Sequence, residues 1–305
     1  MFKAYFLWLL KLLTILVLLL ALPAILVATF AGMSDELNQS TMHAVGSHKV
    51  AVVELKGVIQ DSKKVIKDLY RYVDDADIDG IVLRIDSPGG SVGPSQEIYS
   101  AVKALKDKKP IIASMGSLAA SGGLYAALGA SKILAQPGTL TGSIGVIMQA
   151  PNFTKIIDTV GFEMITIKSG KFKDTGNVFR TMTEEDRAFL QSTVDQLYED
   201  FKGAVISSRK LDPARVAEFA DGRVIIGSQA VTYGLVDGIG DLYDAARLVY
   251  EVKGKPLPDQ KVPQLIFQDD NMEKFRQLFE NILSWSSALS TGSVLSGPRA
   301  YFLMP

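Results

Sequence analysis

The chain contains no cysteine. Disulfides, thiolate nucleophiles and zinc–thiolate sites are therefore excluded. The compartment stays open, because disulfide-free proteins work on both sides of a membrane. Histidine is nearly as scarce: both copies, His43 and His48, precede the body of the chain, in a polar stretch where they read as spectators. The usual base for a serine nucleophile is missing from everything after them. Strong charge is missing too. The formal net charge is -1, and no basic stripe with interleaved aromatics is present, which argues against a nucleic-acid binder.

What the chain does have begins with a long apolar run. From Leu12 to Gly32 there is no charged residue, and at about 1.5 Å per residue the run covers about 30 Å, the thickness of a bilayer core. Lys3 and Lys11 precede it, and Asp35 and Glu36 follow it. The positive-inside rule puts the N-terminus in the cytoplasm and the rest outside. Pro23 is tolerable in a membrane helix. The run is longer than the apolar core of a secretory signal, so it reads as an uncleaved anchor rather than a cleaved leader.

With 305 residues, the chain has room for one large domain or two small ones. The expected organisation is an anchor over 1–33, a linker over 34–48, one α/β domain over 49–252, and an extension over 253–305 with a helix near Asn271 to Ser286 and an apolar tail. Strands are expected at Val50–Leu55, Gly80–Ile85, Pro110–Ser114, Lys132–Ala135, Ile144–Met148, Glu163–Ile167 and Arg223–Ile226. Helices are expected at Lys64–Tyr72, after Gly90 with Ile98, Val102 and Leu105 inward, and from Thr183 to about Ser208. A further short helix is expected from Ser228 to Tyr233, ended by Gly234. Thr183 and Asp186 have the spacing of a capping box. Strands alternating with helices imply a largely parallel sheet.

Ser121 stands in Gly116-Ser117-Leu118-Ala119-Ala120-Ser121-Gly122-Gly123, at the expected start of a helix. A serine hydroxyl is a poor nucleophile until a base takes its proton. With no histidine available, the candidate bases are Lys168, Lys171 and Lys173. A lysine can serve only when burial disfavours its ammonium form and no carboxylate holds the charge in place. Phe172 suits that demand; Asp174 opposes it unless it points away. Gly89-Gly90 and Gly122 can present backbone N–H groups to an oxyanion. Taken singly these are weak signals: Ser-Gly-Gly and Pro-Gly-Gly are common in turns, a lysine-rich stretch is usually a solvated loop, and Ser143 by default is a turn serine.

In order and spacing, these segments together with Thr141-Gly142-Ser143-Ile144-Gly145-Val146, Lys168-Ser169-Gly170-Lys171-Phe172-Lys173-Asp174 and Gly227-Ser228-Gln229-Ala230 resemble the SppA-type signal peptide peptidases. That resemblance runs from about Lys49 to Val249. It implies a ClpP/crotonase-like fold behind an N-terminal transmembrane helix, and a serine endopeptidase that needs no cofactor or metal. It implies Ser121 as nucleophile, Lys173 as general base, Gly90 and Gly122 as oxyanion donors and Ser143 as the residue that positions the base. Its implied partners are signal peptides and other apolar peptides, the cytoplasmic membrane, and further copies of the chain whose neighbouring subunits complete the site. A crotonase-like thioester enzyme or a catalytically silent membrane scaffold are the rival readings. The apolar tail Tyr301-Phe302-Leu303-Met304 is a candidate occupant of the substrate groove, against disorder or membrane contact as the plainer expectation.

Overall fold

The computed structural model describes Phe6, Trp8 and residues 44–258, 261–267 and 300–303. The expected membrane span over Leu12–Gly32 and the expected helix over Asn271–Ser286 lie outside these residues. Among the described residues no helix is long and apolar enough to cross a membrane. The chain divides into two units, Met1–His43 and Ala44–Pro305, and the second carries the sheet and the site.

The centre of that unit is an 8-stranded sheet. Strands β1 (Ala44–Lys56), β2 (Gly80–Ser87), β4 (Ile111–Ala119), β5 (Lys132–Ala135) and β9 (Gly238–Ile239) run parallel in that order, and β10 (Val262–Phe267) adds beside β1. Both faces are covered, which is why these strands read as nearly continuous apolar runs. Successive side chains serve opposite faces. Ile81, Leu83 and Ile85 enter the larger core, while Val82 joins Val50 and Ile112 under α8 (Leu242–Val252), which adds Ala245, Ala246 and Val249.

Helices α1 (Lys63–Asp74), α2 (Val92–Leu105) and α3 (Gly122–Ala127) bring apolar side chains into the larger core. Leu69, Ile98 and Val102 are fully buried; each such burial is worth about 1.5–3 kcal/mol. The long helix α5 (Glu184–Arg209) opens on the expected capping box: Thr183 Oγ1 accepts from the Asp186 N–H at 3.0 Å, and Asp186 accepts from the Thr183 N–H at 3.1 Å. It lies against the core through Phe201 and Val205. Two short helices, α6 (Pro213–Ala217) and α7 (Gly227–Tyr233), flank β8 (Val224–Ile226), and Gly234 ends α7 in the left-handed conformation.

Several expectations are corrected. The first strand begins at Ala44, inside the expected linker. Ile144–Met148 splits: β6 (Leu140–Gly142) ends before it and β7 (Ile147–Met148) takes only its end. Glu163–Ile167 is not a strand. Its alternation needs a sheet edge to pair with, and Met164, Ile165 and Ile167 lie exposed instead. The preceding residues form α4 (Thr154–Val160), which was not expected. Residues beyond Lys253 are not only a linker, since β10 returns to the sheet. His48 makes a structural contact: it stands 3.4 Å from Asp79, edge-on to the Tyr250 ring.

Candidate active site

The site forms at the carboxyl ends of β2 and β4, where parallel sheets generally receive ligands. After β2 the chain turns through Ser87 into β3 (Gly89–Ser91). Ser87 holds this turn from inside, donating to the Gly57 C=O at 2.6 Å and accepting from the Gly89 N–H at 3.1 Å. Ile59 bridges to the other side of β3: its N–H donates to the Gly89 C=O, and its C=O accepts from the Ser91 N–H, both at 2.8 Å. A Cβ on Gly90 would stand 2.1 Å from the Ile59 oxygen. Only glycine permits that approach.

After β4 the chain reaches Ser121 with φ +52° and ψ -118°, and α3 begins at the next residue. A non-glycine residue there costs about 1–3 kcal/mol and persists only when its surroundings enforce it. The Ser121 N–H is held by the Gly142 C=O at 2.9 Å, and Thr141 Oγ1 donates to the Ala119 C=O at 2.7 Å. Ser143, also at positive φ (+50°), is tied in turn to the Arg223 C=O at 2.8 Å. Ser121 is fully buried, and among the described residues its Oγ is the buried side-chain polar atom with no hydrogen-bond partner. A buried hydroxyl without a partner is costly. Gly122, the first residue of α3, has an N–H with no acceptor inside the helix. It packs tightly on β3: a Cβ there would meet Ser95 Oγ at 2.5 Å and the Gly90 nitrogen at 3.2 Å. The fold therefore gathers Gly90, Ser121, Gly122 and Ser143 on adjoining segments. A cavity of about 410 Å³ opens beside Ser143, lined also by Gly145, Val146, Tyr198 and Asp221.

Lys173 is not brought into this group. It is exposed, on a stretch without regular structure between α4 and α5. The three lysines nevertheless differ. Lys168 donates to Asp174 at 2.5 Å, and Lys171 pairs with Glu185 at 2.7 Å. Lys173 makes no ion pair among the described residues. Asp174 is engaged by other partners. Arg180 grips Asp174 from Nε at 2.8 Å and Nη2 at 3.1 Å, and reaches Asp186 from Nη1 at 2.5 Å, while Thr175 donates to Asp186 at 2.7 Å. Hydrogen bonds from Arg180, then from Lys168, lower the Asp174 carboxyl to about 2. Arg180 and Thr175 lower Asp186 as well. Phe172 stacks on Phe189 with ring centres 4.9 Å apart. Earlier in the same stretch, Val160, Ile165 and Ile167 are all more than two-thirds exposed, with Ile167 at 97 %.

Residues 103–254 match the model of peptidase family S49, and residues 47–141 match that of Clp protease. A Synechocystis sp. protein named as a protease, slr0021, is 37% identical over 244 residues, covering 80% of this chain and 86% of that protein. The chain belongs to peptidase family S49. An Enterococcus faecium protein named as a signal peptide peptidase, SppA, is 34% identical over 227 residues, covering 70% of this chain and 66% of that one. Protease 4 of Haemophilus influenzae is 31% identical over 253 residues, 80% of this chain but 40% of that protein. This S49 member is thus a serine protease with a ClpP-like α/β fold. Ile59, Ser95 and Arg180 shape its candidate site without having been expected there. Arg180 lies just beyond the quoted lysine motif, whereas nothing in the local sequence marks Ile59 as the partner of β3.

Proposed function

We propose that the protein is a membrane-anchored endopeptidase that cuts apolar peptides, remnant signal peptides among them, with Ser121 as nucleophile and Lys173 of a neighbouring subunit as general base. The single observation that carries this is the mismatch between the two groups. Ser121 Oγ is buried and unpartnered, while Lys173 is exposed on an arm rich in bare apolar side chains. A second copy of the chain that covers the arm buries those side chains and delivers the amine to the hydroxyl together. Burial then disfavours the ammonium, and Asp174, already committed to Arg180 and Lys168, does not oppose it.

In the assembled site, Lys173 accepts the Ser121 proton as Oγ attacks the peptide carbonyl. The N–H groups of Gly90 and Gly122 stabilise the oxyanion. Protonated Lys173 then donates to the leaving amine, and water hydrolyses the acyl-enzyme. Ser143, directly after the strand residue Gly142 that holds the Ser121 N–H, positions the amine. The Leu12–Gly32 run supports anchoring in the cytoplasmic membrane with the catalytic unit outside the cytoplasm.

The test compares wild type, Ser121→Ala and Lys173→Ala on a fluorogenic apolar peptide. General acid–base catalysis alone is worth about 10²–10⁴-fold, so both variants lose at least about 10²-fold in kcat. Full activity in either one overturns the dyad.

A further inference from the structure

Two successive peptide planes decide where the Gly90 N–H points. The C=O of the Gly89–Gly90 peptide accepts from the Ile59 N–H at 2.8 Å. In a trans peptide the N–H points opposite to the C=O, so the Gly90 N–H turns away from Ile59. On that side it meets extended backbone: a short strand, β11 (Ala300–Leu303), runs antiparallel to β3 with Phe302 opposite Gly90. The preceding plane, Pro88–Gly89, is held by a side chain, because its N–H donates to Ser87 Oγ at 3.1 Å. The joint between the two planes is Gly89, at φ +101°. Lacking a Cβ, it is a joint that resists rotation least.

Ser87 also reaches the nucleophile. Its C=O accepts from the Ala120 N–H at 3.1 Å, one residue before Ser121. A Cβ on Gly123, in the first turn of α3, would meet the same oxygen at 2.9 Å. The pairing of β2 with β4 jumps at this point: Ile85 lies opposite Met115, but Ser87 lies opposite Ala119. Two steps along β2 thus span four along β4, as in a bulge. Asp86 takes up the slack by accepting from the Leu118 N–H at 3.2 Å. The bulge carries Ser121 forward to the level of β3, and it closes at Ser87.

We infer that Ser87 is a positioning residue of the reaction. Its side chain, on a fully buried residue, sets the aim of the Gly90 oxyanion donor through Gly89, and its main chain holds the segment that presents Ser121. Its own anchor is the C=O of Gly57, just past β1, to which the hydroxyl donates at 2.6 Å. Ser87 touches no reacting atom. The inference rests on the reading of Gly90 and Ser121 given above, and it adds the group that keeps the two in register. Outright loss of an oxyanion donor costs about 10²–10³ in kcat. Ser87→Ala leaves the donor in place and frees only the joint, so the expected loss is about tenfold in kcat, with KM within about twofold.

The experiment compares wild type, Ser87→Ala and Tyr250→Phe on the fluorogenic apolar peptide, with kcat, KM and Tm measured for each. Tyr250 is the control, because its hydroxyl donates to Asp79 at 2.9 Å, just before β2 begins and at the far end of the sheet from the site. Both variants are expected to lower Tm, and only Ser87→Ala to lower kcat. Ser87→Ala is also expected to bind a peptide boronic acid, which forms a tetrahedral adduct with the serine, about tenfold more weakly. Unchanged kcat in Ser87→Ala, a change confined to KM, or an equal fall of kcat in Tyr250→Phe overturns the inference. Should Ser87→Ala not fold, Ser87→Cys keeps the volume with weaker hydrogen bonding and reads the same division between kcat and KM. Failure of the dyad shows elsewhere, as full activity in Ser121→Ala, whichever way Ser87→Ala falls.

Discussion

Mixing two dead variants separates a dyad built across subunits from one built within a subunit. Ser121→Ala protein keeps an intact Lys173, and Lys173→Ala protein keeps an intact Ser121. If each site takes its serine from one subunit and its lysine from the next, a randomly assembled 1:1 mixture regains activity. The chance that a given serine is intact is one half, and the chance that its neighbour supplies an intact lysine is one half. About a quarter of sites are then complete, and specific activity recovers to about 25% of wild type in any closed ring where each interface contributes one site. The structure motivates the cross-subunit arrangement because Ser121 Oγ has no partner among the described residues while Lys173 is exposed. The assay is co-expression of differently tagged variants, two-step purification of the mixed assembly, and hydrolysis of the same fluorogenic peptide. No recovery in assemblies proven to contain both variants refutes the cross-subunit site and returns the base to the same chain.

Gly90→Ala and Gly227→Ala form a matched pair. A Cβ would stand 2.1 Å from the Ile59 oxygen in one and 2.0 Å from the Gln136 oxygen in the other, so each is expected to cost about 1–3 kcal/mol by overpacking. Both lower Tm, but only Gly90→Ala lowers kcat in the fraction that stays folded; equal kcat in the two variants removes Gly90 from the oxyanion site. Arg180→Gln frees the Asp174 carboxylate next to Lys173, which favours the charged amine and moves the acid limb of the kcat/KM profile to higher pH; an unmoved limb shows that Asp174 has no influence on the base. The Asp174 carboxyl is held at about 2 against an ordinary 3.8. A depressed acid stabilises the fold above its ordinary value and loses that contribution as pH falls. Hydrogen exchange in residues 174–180, corrected for intrinsic rates, is therefore expected to accelerate from about pH 4 down to about pH 2 and to stay flat above; acceleration at higher pH places the clasp elsewhere.

Local features of the chain were legible because local chemistry decides them. The Thr183–Asp186 box, the inward set Ile98, Val102 and Leu105, and the end of α7 at Gly234 each follow from spacing within one or two turns. Ser121 at the start of α3 follows from its small, glycine-flanked run. What was not legible depends on distant partners. β10 needs the free edge of β1, which no local signal in the sequence announces. Glu163–Ile167 has the alternation of a strand but finds no edge within its own unit. The choice among the three lysines gained a physical argument only from the structure, because Lys168 and Lys171 are each tied to a carboxylate and Lys173 is not.

The apolar arm around Ile165 and Ile167 carries a consequence for when the enzyme is awake. A protease that keeps its nucleophile on one molecule and its base on another has no working site at infinite dilution. Its specific activity then rises with local density, steeply at first and flat once assembly is complete. Under the proposed cross-subunit site, a freshly made copy would be harmless to its neighbours, and dispersal alone would turn the site off. Confinement to a membrane plane would act as the opposite setting, because it concentrates copies and aligns their arms.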